Sequence, residues 1–156
     1  RQPRQRDLPG YGVLPDNLLS KASTSLGTRM PSATALERFI ARVEQNAHVE
    51  AIEEFYTDHA SMQENNSPPR VGRDVLAQHE KRVLARAHSV RSTCVRPVFV
   101  NGDRVVIRWI FEFEWLDGTK TRMEELAYQR WEGDLIADEQ FFYDPAQLQR
   151  SAGDGK

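Results

Sequence analysis

Two acidic residues stand where this sequence could transfer protons: Glu64 in "YTDHASMQEN" and Glu125 in "KTRMEELAYQRW". The second segment alternates like a strand, and Glu125 shares one of its two faces with Gln129 and Trp131. A carboxylate beside an indole on a buried face is costly, and it commonly shifts its pKa or acquires a partner. Alternation alone leaves open which face of this strand is buried, because both faces mix polar and apolar side chains.

The elements that must position these residues are three helices followed by four strands. Helical spacing of apolar residues begins with a predicted capping box at Thr34 and Glu37 and recurs in a second short helix and in a third that starts near Arg73. After residue 89 the period changes to two, and the turns "NGD", "LDGT" and "EGD" separate four strand candidates. Helices before strands predict an α+β domain with an antiparallel sheet and the helices on one of its faces.

The longest strand candidate, "RVVIRWIFEFEW", separates aromatic from charged side chains. One face is aromatic, and it carries Trp109, Phe111, Phe113 and Trp115. The other face is mostly charged, and it carries Arg108, Ile110, Glu112 and Glu114. The aromatic face must be covered, and the three helices can cover it. The opposite face leaves apolar area at Ile110 and Leu126, which predicts that it is partly buried in a homodimer.

Composition argues against several classes of protein. The chain has 156 residues and a formal net charge of -2, which gives no electrostatic footprint for nucleic acid or a membrane surface. Its apolar runs are shorter than the roughly 18 residues that indicate a spanning helix. The single cysteine, Cys94, fits a reducing cytoplasm, which is the predicted location.

Residues 1–31 differ from the rest of the chain by their Arg, Pro, Gly and Ser content. We predict an N-terminal extension here, either a leader or a segment that packs against its own domain or a partner subunit. One domain is predicted over residues 32–150, followed by a tail at residues 151–156.

The segments "YTDHASMQEN" and "VGRDVLAQHE", the closing "GDLIADEQFFYDP" and the order of the helices resemble the SnoaL-like branch of the nuclear-transport-factor-2-like superfamily. Ketosteroid isomerases, limonene-epoxide hydrolase and small polyketide cyclases share that fold. The resemblance covers residues 34–148. It implies a curved sheet wrapped around the helices as a cone-shaped α+β barrel, a ligand pocket at the open end, and dimers that pair through the outer face of the sheet.

Carried over residue by residue, the resemblance implies that Glu64 matches the general base of the isomerases. Ala127 stands where the isomerases have a protonated acid, and Ile40 falls near their first-helix tyrosine, so both proton donors are missing. The Asp-Arg-Asp arrangement of limonene-epoxide hydrolase finds no match at residues 111–113. The resemblance therefore disfavours a steroid isomerase or an epoxide hydrolase of those known types.

The same carry-over puts Glu125, Gln129 and Trp131 on the inner face of the sheet. An inner Glu125 near Glu64 would bring two carboxylates into one pocket. Each would disfavour ionisation of the other, leaving one as the acid and one as the base.

We predict a set of ligand-contacting side chains: Met62, His79, Trp109, Phe111, Phe113, Gln129, Trp131, Gln140 and Phe142. Structural explanations compete with these roles. His79 on an apolar helical face is typical of a core histidine, and the two glutamines can satisfy backbone groups instead. Glu64 can pair with an arginine, and Glu125 can pair with Arg42 or Arg82.

The sequence predicts no metal site and no cofactor. His48, His59, His79 and His88 fall in different elements without metal-ligand spacing, and all but His79 are interpreted as surface or helix-end residues. A glycine-rich phosphate loop and a Gly-x-Ser-x-Gly elbow are both missing from the sequence.

The leading hypothesis for function is cofactor-free acid–base chemistry on a small apolar or polycyclic molecule, by isomerisation, ring closure or addition of water. Glu64 would be the base, and Glu125, with Gln129, the acid or the orienting partner. A second hypothesis is a carrier that binds an apolar molecule without turning it over, which the missing isomerase donors favour. A third is an interaction module that works through the outer face of the sheet.

Overall fold

The structure is a computed structural model that describes residues 29–151. Residues 1–28 of the predicted extension and residues 152–156 of the predicted tail lie outside the described residues. The predicted domain bounds therefore stay a prediction.

Three helices and six strands follow one another along the described residues. The helices are α1 (Ala33–Glu44), α2 (His48–Phe55) and α3 (Arg73–Leu84), and a short 3-10 helix covers Pro145–Leu148. The strands are β1 (Tyr56–Glu64), β2 (Arg70–Val71), β3 (Ala87–Asn101), β4 (Arg104–Trp115), β5 (Lys120–Glu132) and β6 (Leu135–Phe142). The predicted α+β class is confirmed.

One curved, unclosed sheet holds these six strands in the order β2-β1-β6-β5-β4-β3. Strands β3 to β6 form the predicted antiparallel meander, whereas β1 pairs in parallel with β6. The predicted antiparallel meander is therefore confirmed, and the parallel pairing of β1 with β6 makes the whole sheet mixed. Pro97 lies on the edge strand β3, where the register shifts between Val95 and Phe99.

Helix α1 begins at a different cap from the predicted one. Ser32 is the N-cap, and its hydroxyl accepts a hydrogen bond from the backbone N–H of Ala35 at 3.1 Å. The backbone N–H of Ser32 in turn donates to the Asp134 carboxylate at 2.8 Å, which ties the start of the helix to the β5–β6 turn. The predicted capping box at Thr34 is wrong, because Thr34 already lies inside the helix.

The core lies between the helices and the narrow end of the sheet, and Phe39 of α1 is at its centre. Its ring makes edge-on contacts with Phe55 at 5.6 Å and with Trp131 at 5.9 Å between ring centroids. The inner faces of β4 and β5 contribute Val105, Ile107 and Ala127, which are fully buried. This packing seals one end of the cone, so a cavity can remain only towards the other end.

We expect Phe39→Ala to lower the free energy of unfolding by about 3–5 kcal/mol, because it removes a fully packed aromatic ring and leaves a cavity. Urea denaturation followed by circular dichroism measures the change. Phe99→Ala is the matched control, because Phe99 is 64% exposed on the edge strand, and its effect should stay within about 0.5 kcal/mol. Equal losses in both variants would contradict this placement of the core.

Candidate functional site

A cavity of about 440 Å³ lies between the helices and the inner face of the sheet. Its volume falls in the range of small-molecule sites, about 300–1,000 Å³. Buried side chains form its closed end: Phe39, Ile52, Tyr56, Trp109 and Glu139. The mouth of the cavity is lined by exposed side chains: Arg86, which follows α3, and Leu148 and Arg150, near the end of the described residues.

Strand β4 supplies one complete aromatic wall of this cavity. Trp109 stacks on Phe111 with ring centroids 5.6 Å apart, and Phe113 stacks on Trp115 at 4.9 Å with nearly parallel planes. All four rings line the cavity, because alternate residues of a strand share one face. The wall runs from the buried Trp109 at the closed end to Trp115 near the mouth and offers stacking area to a flat ligand.

A buried carboxyl group, Glu139 of β6, forms part of the closed end and is only 3% exposed. One of its oxygens accepts a hydrogen bond from the Tyr56 hydroxyl, and the other accepts from Nε2 of Gln129. The indole N–H of Trp131 donates to Oε1 of Gln129 at 2.9 Å. The indole therefore fixes the orientation of the Gln129 amide, so that its NH2 group faces Glu139.

Burial dominates the protonation of this group. It raises the pKa of Glu139 to about 7, although the hydrogen bonds from Gln129 and Tyr56 act in the opposite direction. The charge of Glu80 adds to the rise. Burial and the nearby Glu139 charge also raise the pKa of Tyr56 well above its usual range, so its hydroxyl stays a donor.

Glu125 projects from β5 opposite Trp109 and lines the same cavity. Burial raises the pKa of Glu125 to about 8, and the charges of Glu139, Glu64 and Glu80 add to the rise. Among residues 29–151, no donor hydrogen-bonds its carboxyl group, and the predicted alternative of a salt bridge with Arg42 or Arg82 is wrong. A carboxyl group without a protein partner that faces a cavity is free to bond to a ligand.

Glu64 lies at the end of β1 among other polar side chains. Nη1 of Arg70 donates to Oε2 of Glu64 at 3.3 Å, and the Glu64 side chain is 42% exposed. Burial lowers the pKa of His79, and the Arg70 charge lowers it further. Burial raises the pKa of Tyr143, with the charges of Glu64 and Glu125 adding to the rise. Glu64 thus lines the cavity and also pairs with an arginine. The sequence offers these two features as alternatives, and the structure shows both.

His48 is a helix-end residue, as one of the two predicted alternatives has it, but its ring lies in the cavity wall and not on the surface. Its Nδ1 lies 2.9 Å from Oε1 of Glu80, its Nε2 lies 2.7 Å from Oγ of Ser92, and its ring packs edge-on against Phe111. Although it is the first residue of α2, the helix start lies against β3 and α3, which bury the ring. Ser92 therefore fixes the His48 ring, and His48 holds the Glu80 carboxylate in the wall.

Seven of the eleven predicted site residues line the cavity: Met62, Glu64, His79, Trp109, Phe111, Phe113 and Glu125. The other four do not line it, so the prediction that they form part of its wall is wrong. Gln129 and Trp131 share the inner face but lie beneath the cavity in the hydrogen-bond chain that ends at Glu139, with Trp131 0% exposed. Gln140 donates to the backbone carbonyl of Asn65 at 2.7 Å, and Phe142 is exposed on the outer face.

A β-bulge explains the errors on β6 and the failure to identify Glu139 from the sequence. The register shifts between Arg130 and Trp131, so that Gln129 pairs with Glu139 and Ala127 pairs with Phe141. Without a bulge, counting outward from the tight turn would put Gln140 and Phe142 inside. The extra residue reverses the parity of the strand. Phe141, not Phe142, therefore lines the cavity.

Residues 29–151 contain no cluster of three or more His, Cys, Asp or Glu side chains with the geometry to hold a metal ion. Within the same range, no helix has the length and apolar character needed to cross a membrane.

Several solved structures have this fold at low sequence identity. A protein from Mesorhizobium loti described as a SnoaL-like polyketide cyclase is 20% identical, covering 71% of this chain and 97% of its own, with a TM-score of 0.61. A protein from Catenulispora acidiphila with a ketosteroid isomerase-like fold is 15% identical, covering 75% of this chain and 90% of its own, with a TM-score of 0.63. TerC, co-crystallized with polyporic acid, is 15% identical, covering 72% and 91%, with a TM-score of 0.61.

Sequence comparison gives the family directly. A search of curated proteins returns no significant match. The model of the SnoaL-like domain, in contrast, matches residues 36–139, which include most of α1, the whole inner face of β4 and β5, and Glu139. These residues make up most of the described chain and include most of the residues that line the cavity. The resemblance seen in the sequence is therefore confirmed, and the chain belongs to the SnoaL-like domain family.

Proposed function

We propose that the cavity binds a small apolar or polycyclic molecule and that Glu125 transfers a proton to or from it. The observation that carries this proposal is the Glu125 carboxyl group, which faces the cavity without a protein partner among the described residues and has a pKa of about 8. A catalytic acid or base is most effective when its pKa lies near the working pH. Isomerisation, ring closure and addition of water all fit this chemistry.

Glu125 and Glu139, the two buried carboxyl groups of the cavity, have different proposed roles. Glu139, with a pKa of about 7, ionises first, and its charge then holds the proton on Glu125, so the pair titrates in two steps. The Tyr56 and Gln129 donors keep Glu139 in place, so its oxygens are occupied while those of Glu125 remain available. Glu125 is thus proposed as the residue that touches the ligand, with its proton retained mainly by burial and further by the charge of Glu139.

Glu64 remains the proposed base on the opposite side of the ligand. Its position in the cavity wall near the end of β1 supports this role, as does the match to the isomerases' base. The aromatic wall of β4 would hold the ligand between Glu64 and Glu125. A structural relative named as a polyketide cyclase and another co-crystallized with polyporic acid support a small organic ligand for this fold.

A non-catalytic carrier is the second proposed function, and two buried side chains favour it. Ala127 and Ile40 stand where the isomerases have their proton donors, and both are buried in the core. A carrier would use the same aromatic wall and would bind its ligand without changing it. An interaction module that works through the outer face of the sheet is the third alternative from the sequence, and the dimer prediction below addresses it.

The test that separates enzyme from carrier begins with a thermal-shift screen of polycyclic ketones that carry a C–H group next to the carbonyl. Hits are incubated in D2O, and deuterium uptake next to the carbonyl is followed by mass spectrometry. We expect Glu125→Gln to slow the exchange by roughly 10²–10⁴-fold, because it removes the proton-transfer group, while ligand affinity changes little. Glu64→Gln tests the proposed base in the same assay.

Glu114→Gln is the matched control, because Glu114 is exposed on the outer face of β4, and it should leave the exchange rate unchanged. A wild type that binds hits tightly but returns every one of them without exchange would indicate the carrier. Exchange that survives in Glu125→Gln would remove Glu125 from the mechanism.

The raised pKa of Glu125 also predicts a pH dependence of stability. The folded state keeps a proton that the unfolded state, with a pKa of 4.5, has already released. The stabilisation is therefore complete below about pH 4.5 and is lost as the pH rises to about 8, with a slope of up to about 1.4 kcal/mol per pH unit. Glu125→Gln lacks this slope, because its amide does not titrate.

Urea denaturation of wild type and Glu125→Gln at pH 5 and pH 8 measures this difference. The variant should gain stability relative to wild type on going from pH 5 to pH 8. A difference between the two proteins that does not change with pH would show that Glu125 has an ordinary pKa.

We also propose that the outer face of the sheet forms a two-fold homodimer. Leu126 and Phe142 are neighbours across β5 and β6 and are 44% and 45% exposed. The predicted charged positions beside them are already neutralised, since Arg108 pairs with Glu124 at 3.3 Å. An apolar patch flanked by paired charges is typical of an interface between copies.

Light scattering at micromolar concentration should give a dimer mass for wild type and a monomer mass for Leu126→Glu. Leu116→Glu is the matched control, because Leu116 is exposed in the β4–β5 turn and should leave the dimer intact. A monomeric wild type would overturn the proposed dimer.

A further inference from the structure

The cavity is electrically asymmetric along its length. Its inner parts carry the carboxyl groups of Glu80, Glu125 and Glu139, whereas its mouth carries arginines. Arg86 follows α3, and its backbone carbonyl accepts a hydrogen bond from the N–H of Leu116, which places it beside the end of β4. Arg150 lies over the ring of Trp115, 4.5 Å from its centroid. Both arginines therefore stand at the outer end of the aromatic wall.

The charges of these two arginines are only partly compensated. Among residues 29–151, no carboxylate pairs with Arg86, in contrast to Arg70, which binds Glu64. Arg150 uses Nη1 for Asp117 at 2.9 Å, which leaves the other donors of its guanidinium group free. A planar guanidinium group presents up to five N–H donors and binds carboxylates in pairs of hydrogen bonds.

Arg150 is held in place by the segment that follows the 3-10 helix. The Gln147 side chain pairs with the backbone of Glu124, accepting from its N–H at 2.6 Å and donating to its carbonyl at 3.1 Å. Ser151 and Lys120 exchange two backbone hydrogen bonds, at 3.0 and 3.1 Å. These contacts, on both sides of Arg150, fix the segment along the start of β5, so the guanidinium group is positioned over the mouth.

We propose that Arg86 and Arg150 form a subsite for an anionic group, and that the ligand is a flat aromatic acid bound with its acid at the mouth and its far end at Glu125. The proposal rests on the proposed function, since it names the ligand class of the same cavity. Binding in the reverse orientation would bury the anion at the closed end, beside the carboxyl groups of Glu125 and Glu139, where burial disfavours a charge. The wall from Trp109 to Trp115 is about 20 Å long, enough for several fused rings.

Anthracene-2-carboxylate and its neutral carboxamide are matched probes for this subsite, because they differ in charge and hardly in shape. Calorimetric titration at pH 7 should show that wild type binds the acid at least tenfold more tightly than the amide, about 1.4 kcal/mol. In the double variant Arg86→Gln/Arg150→Gln the ratio should fall to about one, while the affinity for the amide stays within about twofold. This pattern assigns the preference to the two guanidinium groups.

Two further variants test whether the loss of any surface arginine, or a loss of folding, could explain the result. Arg91→Gln removes an exposed arginine outside the cavity, one that pairs with Glu112 on the outer face, and should leave the ratio unchanged. Arg86→Lys/Arg150→Lys keeps both charges and should retain part of the preference, which loss of folding would not do.

Equal affinity of wild type for acid and amide, or a preference that survives in the double glutamine variant, overturns the subsite. In that case the proposed function stands if deuterium exchange still depends on Glu125. Failure of wild type to bind either probe counts against the flat-ligand class itself, because both probes need the aromatic wall. If wild type binds the acid more tightly than the amide but exchanges no deuterium into any ligand, only the catalytic proposal is overturned.

Discussion

The buried carboxyl group of Glu139 is the constraint on which the rest of the site depends. An ionised carboxylate without donors inside a protein costs several kcal/mol, so its position requires a dedicated set of partners. Tyr56 and Gln129 supply one hydrogen bond each, and Trp131 orients the amide of Gln129. The ring of Trp131 packs in turn against Phe39 of α1. The core and the polar site are therefore one structure, and neither can be rearranged alone.

This arrangement raises the pKa of Glu125 through burial and through the charges of carboxyl groups to which it is not hydrogen-bonded. At the closed end of the cavity, Tyr56 and Gln129 donate their hydrogen bonds to Glu139. No donor among the described residues is left for the carboxyl group of Glu125. Burial and the charge of Glu139 then keep the proton on Glu125 near neutral pH. A carboxyl group in this state can donate a proton to an oxygen of a ligand and take one back within the same pH range.

The sequence predicts well what depends on a strict period. Alternation along β4 correctly put four aromatic side chains on one face, and the turns predicted the meander. Prediction failed where one residue breaks the period, since the bulge beside Trp131 exchanged Phe142 for Phe141 and hid Glu139. The burial of His48 was also missed, because its partners, Glu80 and Ser92, lie far away in the chain and come together only through packing.

The relation to the isomerases illustrates how one fold can keep a cavity while its polar groups move. Ala127, where the isomerases have an acid, is buried between Glu125 and Gln129, each two residues away on the same face. Glu139 stands opposite Gln129 on the neighbouring strand. A step of two residues preserves the face of a strand and moves a side chain by almost 7 Å. With Glu125 as the proposed acid, the proton donor would stand one such step from the position that the resemblance assigns to the isomerases' acid, and it would reach a different ligand atom from within the same fold.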